Sequence, residues 1–135
     1  MSLEVITKPS VKIDPGLLDK IKSQIQEQGQ VVLHFLYYTP YYSYGSKIRI
    51  WPTSYLYDLH SSHRSEMVHC ENITLYPDWQ DCPPGSMNYF TLVFSGLPKN
   101  CTIFDFVEEC DNEGGSFTLR NIKRNKTDVY FISIM

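Results

Sequence analysis

The chain has 135 residues, 42 % hydrophobic and 20 % charged, with a formal net charge of −3. That is globular composition, well away from the polar, highly charged profile of disordered chains, and at this length one domain spanning 1–135 is the natural expectation. The basic residues are scattered apart from Lys123, Arg124 and Lys126, which argues against nucleic acid as a partner, since phosphate binding needs a concentrated basic face. No run approaches the roughly twenty apolar residues of a membrane span. Met1-Ser2-Leu3-Glu4-Val5 lacks the basic and then apolar regions of a signal peptide, which leaves the compartment open.

Ten Tyr and seven Phe lean the chain towards strands. Val5, Thr7, Val11 and Ile13 surround Pro9, so residues 1–16 read as an edge strand or a loosely attached N-terminal segment. The stretch 17–28 reads two ways. As a helix, capped by Asp14 and opened by Pro15, it buries Leu17, Leu18, Ile21 and Ile25; as a strand it alternates Ile21, Ser23 and Ile25 against Lys20, Lys22, Gln24 and Gln26. Val31 to Tyr38 is apolar on both faces and predicts a central strand. Thr39 to Gly45 is a loop held by Pro40, and Lys47 to Trp51 alternates as the next strand. Short strands are expected at Ser54–Asp58 and Met67–Leu75, with a polar turn at His60–Arg64 and a loop at Pro77–Ser86. Asn88–Phe94 and Cys101–Val107 are strong strands, Asp111 to Gly115 is a turn, Phe117, Leu119 and Ile122 nearly alternate, and Val129–Ile134 ends the series.

Tyr89-Phe90-Thr91-Leu92-Val93-Phe94-Ser95-Gly96-Leu97-Pro98-Lys99, then Phe104-Asp105-Phe106-Val107-Glu108 and Gly115-Ser116-Phe117-Thr118-Leu119, resemble bacterial immunoglobulin-like β-sandwich domains of exported or cell-envelope proteins. Val31–Phe35, Ile48–Ile50 and Ser54–Asp58 resemble the earlier strands of such domains. The resemblance implies export and a preceding strand over Lys20–Gln26; the final strand and the cysteines lie outside its pattern. The expected fold is an all-β, immunoglobulin-like antiparallel sandwich of about seven to nine strands, with one short helix near 15–28 as the open alternative.

Cys70, Cys82, Cys101 and Cys110 lack the C-x₂-C spacing of zinc and redox motifs. Pairs such as Cys70 with Cys82 or Cys101 with Cys110 are allowed, and free buried thiols are at least as reasonable. Sequons occur at Asn72-Ile73-Thr74, Asn100-Cys101-Thr102 and Asn125-Lys126-Thr127, and would matter only in a eukaryotic secretory pathway.

His60, His63 and His69, near Asp58, Glu66 and Cys70, are the one metal-capable cluster, in no named zinc pattern. Serine, histidine and aspartate occur without a G-x-S-x-G elbow. The adjacent acids Glu108 and Glu109 should point to opposite faces and keep an edge soluble. Tyr37, Tyr38, Tyr41, Tyr42, Tyr44 and Trp51 cluster around Pro40 and Gly45, and flat aromatic faces of this kind dock sugars and extended peptides. Against that stands the reading that Trp51 and Tyr37 or Tyr38 are core and the others cap the sandwich end. The expectation is a non-catalytic exported module without cofactor or metal, contacting a protein or glycan through Tyr38, Tyr41, Tyr42, Tyr44 and Trp51. The alternative is a small metal-dependent hydrolase using His60 to Cys70.

Overall fold

Runs of β-branched and aromatic residues suit a pleated, half-buried surface. In a computed structural model describing residues 3–6, 29–110, 116 and 118–134, such runs form the longest of ten strands, and no helix occurs among the described residues. In chain order they are β1 (Leu3–Ile6), β2 (Val31–Tyr38), β3 (Ser46–Ile48), β4 (Ser54–Asp58) and β5 (Arg64–Glu71). Then come β6 (Gln80–Cys82), β7 (Met87–Phe94), β8 (Ile103–Glu108), β9 (Thr118–Lys123) and β10 (Val129–Ile134). The stretch 17–28, open between helix and strand, lies outside the described residues.

Eight strands form one sheet in the order β1-β10-β2-β7-β5-β4-β8-β9, and β3 pairs with β6 apart from it. Strand β5 serves two neighbours. Arg64, Ser65 and Glu66 pair with Tyr57, Leu56 and Tyr55 of β4, whereas Met67 to Glu71 pair with Phe94 to Thr91 of β7. The register shifts between Met67 and His69, and a bulge there bends and twists the strand, so the sheet curls over at β5 and its halves face each other. Phe106 of β8 meets Phe35 of β2 and Phe94 of β7 at 5.9 Å between ring centroids, and Phe104 meets Tyr130 at 5.2 Å.

This seam is the centre of one core. Val31, Leu33 and Phe35, then Phe90, Leu92 and Phe94, then Tyr130, Ile132 and Ile134 face inward from one half. Leu56, Phe104, Phe106, Leu119 and Ile122 face them from the other. The near-alternation of β9 follows from a second irregularity: Phe104 pairs with Ile122 but Phe106 with Leu119, which leaves an extra residue on β9. Asn121 takes φ 60° there. The buried Asp105 carboxylate accepts the Asn121 N–H at 2.8 Å and the Arg120 guanidinium at 3.3 Å, which satisfies it in the bend.

Several expectations need correcting. Pairing is not purely antiparallel, because β10 runs parallel to β2 while antiparallel to β1. The inward face of β10 is apolar throughout, and on its outer face Val129 is also buried, which places it inside the sheet and not on an edge. The strand expected over Lys47–Trp51 stops at Ile48, and Ile50 makes an isolated parallel bridge to Leu75. The loop expected over Pro77–Ser86 contains β6, and the strand expected to reach Leu75 ends at Glu71. Cys70, Cys82 and Cys101 carry free thiols, so neither Cys70–Cys82 nor Cys101–Cys110 is bridged. No helix among the described residues is long and apolar enough to cross a membrane.

Two substitutions test this packing by urea unfolding. Phe106→Ala, which removes the ring at the seam, should lower stability by about 3–5 kcal/mol. A Cβ at Gly96 would lie 1.9 Å from the Gly29 carbonyl oxygen, so Gly96→Ala should cost about 1–3 kcal/mol. Unchanged midpoints would contradict the seam or the close approach, respectively.

Candidate binding surface

The β2–β3 connection is fixed by its own polar groups and by its neighbour. Ser43 donates from both N–H and hydroxyl to the Pro40 carbonyl, at 3.1 and 2.7 Å, and Gly45 N–H donates to Ser43 Oγ at 3.2 Å. Gly45 has φ 91°, open to glycine at little cost. Gly85 N–H donates to the Thr39 carbonyl at 2.7 Å and Thr39 N–H to that of Ser86 at 3.0 Å, which staples the Pro83-Pro84-Gly85 turn to this loop. At the base, the hydroxyls of Tyr37 and Ser46 lie 2.8 Å apart.

On this braced backbone Tyr41, Tyr42 and Tyr44 are 78 %, 79 % and 106 % exposed. Tyr41 and Tyr42 meet edge to face at 5.6 Å. Tyr44, Pro83, Pro84 and the Lys47–Asp81 ion pair line a shallow cleft of about 290 Å³. Tyr38 is half-buried at the same end, opposite Met87.

Trp51 does not join this surface. It is only 8 % exposed and stacks on Tyr76 at 3.8 Å. The Arg49 guanidinium sits 3.7 Å from the Trp79 ring centroid, 4.8 Å from Tyr76 and 5.3 Å from Trp51, and donates to the Pro77 carbonyl at 3.1 Å. This cation–π stack was hidden in the sequence, because Tyr76 and Trp79 fall in a proline-marked loop. Its only trace was two large aromatics flanking Pro77-Asp78.

The histidines have separate roles. His63 Nε2 lies 2.9 Å from Ser65 Oγ and 3.1 Å from the Gly96 carbonyl oxygen, His69 Nε2 lies 3.1 Å from Glu71, and His60 is exposed in the turn. Ser65 is fully buried and its hydroxyl donates to Gly96, so the serine–histidine contact ties β5 to the 95–97 segment. Among the described residues no three His, Cys, Asp or Glu side chains form a group able to hold a metal.

Glu108 departs from its expected role at a soluble edge. It does point away from Glu109, but it is 4 % exposed with neither carboxylate oxygen hydrogen-bonded, while Glu109 is exposed and accepts from the Tyr57 hydroxyl. Burial pushes the Glu108 carboxyl up to about 8, with the Arg49 charge pulling against it. Of the sequon asparagines, Asn72 and Asn100 are exposed. Asn125 is committed instead: Oδ1 accepts Asp128 N–H at 2.7 Å and Nδ2 donates to the Val129 carbonyl at 2.8 Å.

No protein-family model, curated protein or solved structure matches this chain.

Glu108 makes stability depend on pH in a defined sense. The unfolded chain ionises near 4.5 and the folded one near 8, so stability falls as pH rises between those values, by up to about 1.4 kcal/mol per unit. Glu108→Gln should match the parent near pH 4 and exceed it by about 2–4 kcal/mol at pH 8, read by urea unfolding. An equal difference at both pH values would contradict the assignment.

Proposed function

We propose that this chain is a non-catalytic binding module of an exported protein, an immunoglobulin-like sandwich that contacts a protein or glycan partner through the tyrosine loop. The observation that carries this reading is the combination of three tyrosines at least 78 % exposed with a backbone stapled to the next turn. Rings held on a braced loop present large amphipathic area at little entropic cost, as the tyrosines of antibody loops do. The paired Lys47 and Asp81 beside Tyr44 leave the cleft without a net charge, which suits a neutral partner surface. The immunoglobulin-like assignment and export rest on the strand pattern of Tyr89–Lys99 and Phe104–Glu108.

The test compares retention of the parent chain with that of a Tyr42→Ala, Tyr44→Ala double variant. Immobilised polysaccharides and extended peptides serve as the probes. Both side chains are exposed, so folding should be unaffected while retention falls at least tenfold, as expected for loss of an aromatic anchor worth about 1.4 kcal/mol or more. Equal retention of the two proteins would remove the loop from the reading.

A further inference from the structure

A second feature at this end of the molecule has a different chemistry from the tyrosine loop. Between the segment following β5, strand β6 and the start of β7 lies an open groove of about 620 Å³, lined by Asn72, Thr74, Gln80, Met87, Asn88 and Tyr89 among others. None of its lining residues is Asp, Glu, Lys, Arg or His. A phosphate, carboxylate or ammonium group would find no counter-charge there, and a wholly apolar ligand would strand the amides without partners.

The polar groups are oriented in advance. The parallel bridge between Ile50 and Leu75, with Ile50 N–H donating to the Thr74 carbonyl and Tyr76 N–H to that of Ile50, both at 3.0 Å, fixes the 72–76 segment. Thr74 then donates from its backbone N–H and its hydroxyl to Gln80 Oε1, at 3.0 and 3.3 Å. An N–H can point only at an acceptor, so this contact fixes which end of the Gln80 amide is oxygen and leaves its NH₂ as a donor pair. The Asn88 carboxamide stands 3.2 Å from Ser86 Oγ through its Nδ2 and carries both a donor and an acceptor. Tyr89 and Met87, which alternate to the other face of β7 from Asn88, form the outer rim and are 62 % and 58 % exposed.

We infer that this groove is a subsite for a neutral, hydroxyl-rich ligand, a sugar residue of an uncharged glycan. Neighbouring sugar hydroxyls each donate and accept, which matches the oriented amide donor at Gln80 and the donor and acceptor of the Asn88 carboxamide. The less polar C–H face of a pyranose ring has the Tyr89 ring to lie against. The groove recognises its ligand through carboxamides whereas the loop offers exposed rings and prolines, so this proposal stands or falls separately from the tyrosine loop.

Native affinity electrophoresis of the full chain tests it, in gels containing mannan, galactan, β-1,3-glucan or soluble cellulose derivatives without charge, with polygalacturonate and chitosan as charged gels. At least one neutral gel should retard the parent, and Tyr89→Ala and Gln80→Leu should each weaken that retardation at least tenfold in apparent affinity. Near-UV circular dichroism checks the fold of each variant. Should Gln80→Leu lose its fold with its Thr74 contacts, Tyr89→Ala, at an exposed position, decides the matter alone. Retardation of the parent only by charged gels, by none of the gels, or equally for parent and Tyr89→Ala would overturn the proposal. So would loss confined to the Tyr42→Ala, Tyr44→Ala variant, which would assign binding to the loop.

Discussion

Strand β5 belongs to both halves of the molecule, and the remaining architecture depends on how it changes partner. Its first three residues are bonded to β4 and its last residues to β7, with the register slipping between Met67 and His69. Without that slip an eight-stranded sheet would leave one apolar face open to water. With it, β4, β8 and β9 swing over β10, β2 and β7, and Phe106 closes against Phe35 and Phe94. Corners of this kind, in which one strand changes sheets at a bulge, are how sandwiches turn. The His63, Ser65 and Gly96 contacts tie the turning strand to the 95–97 segment.

Much of this was legible in the residues. Val31–Tyr38, Ser54–Asp58 and Val129–Ile134 are strands over the spans their patterns indicated, because alternation and two-sided apolarity report burial directly. Long-range partnership left no such mark. That β10 inserts between β1 and β2, parallel to the latter, depends on chain path, to which local pattern is blind. Strand β6 is not legible in the residues, because Gln80-Asp81-Cys82 carries no strand signal and owes its conformation to Ser46–Ile48 opposite it. The imperfect alternation of β9 was visible in the spacing of Leu119 and Ile122, yet its cause, the Asp105 carboxylate serving Asn121 N–H, required the fold.

The candidate surface divides in the same way. Exposed tyrosines follow from a proline-and-glycine loop crowded with rings, and Tyr41, Tyr42 and Tyr44 are indeed its most exposed large side chains. Trp51 belongs to another cluster, where Arg49 is packed against Tyr76 and Trp79. The amide groove is drawn from residues 72 to 89 and holds together through the two bonds from Thr74 to Gln80. Single asparagines and glutamines in turns are too common to mark such a site in a sequence. Glu108 shows the converse: an acid that reads as surface is sealed beneath the strand ends, with the buried Nε of Arg49 and Nε1 of Trp51 likewise lacking hydrogen bonds.

Both candidate surfaces lie at one end of the curled sheet, where β2 finishes and β7 begins. Backbone-amide NMR of the isotope-labelled chain, titrated with neutral oligosaccharides and extended peptides, tests this most directly. Dose-dependent shifts confined to residues 39–47, 72–76 and 80–89 are expected. Shifts centred on the His60–Cys70 segment or on the β9 edge, or no shift with any of these probes, would contradict it.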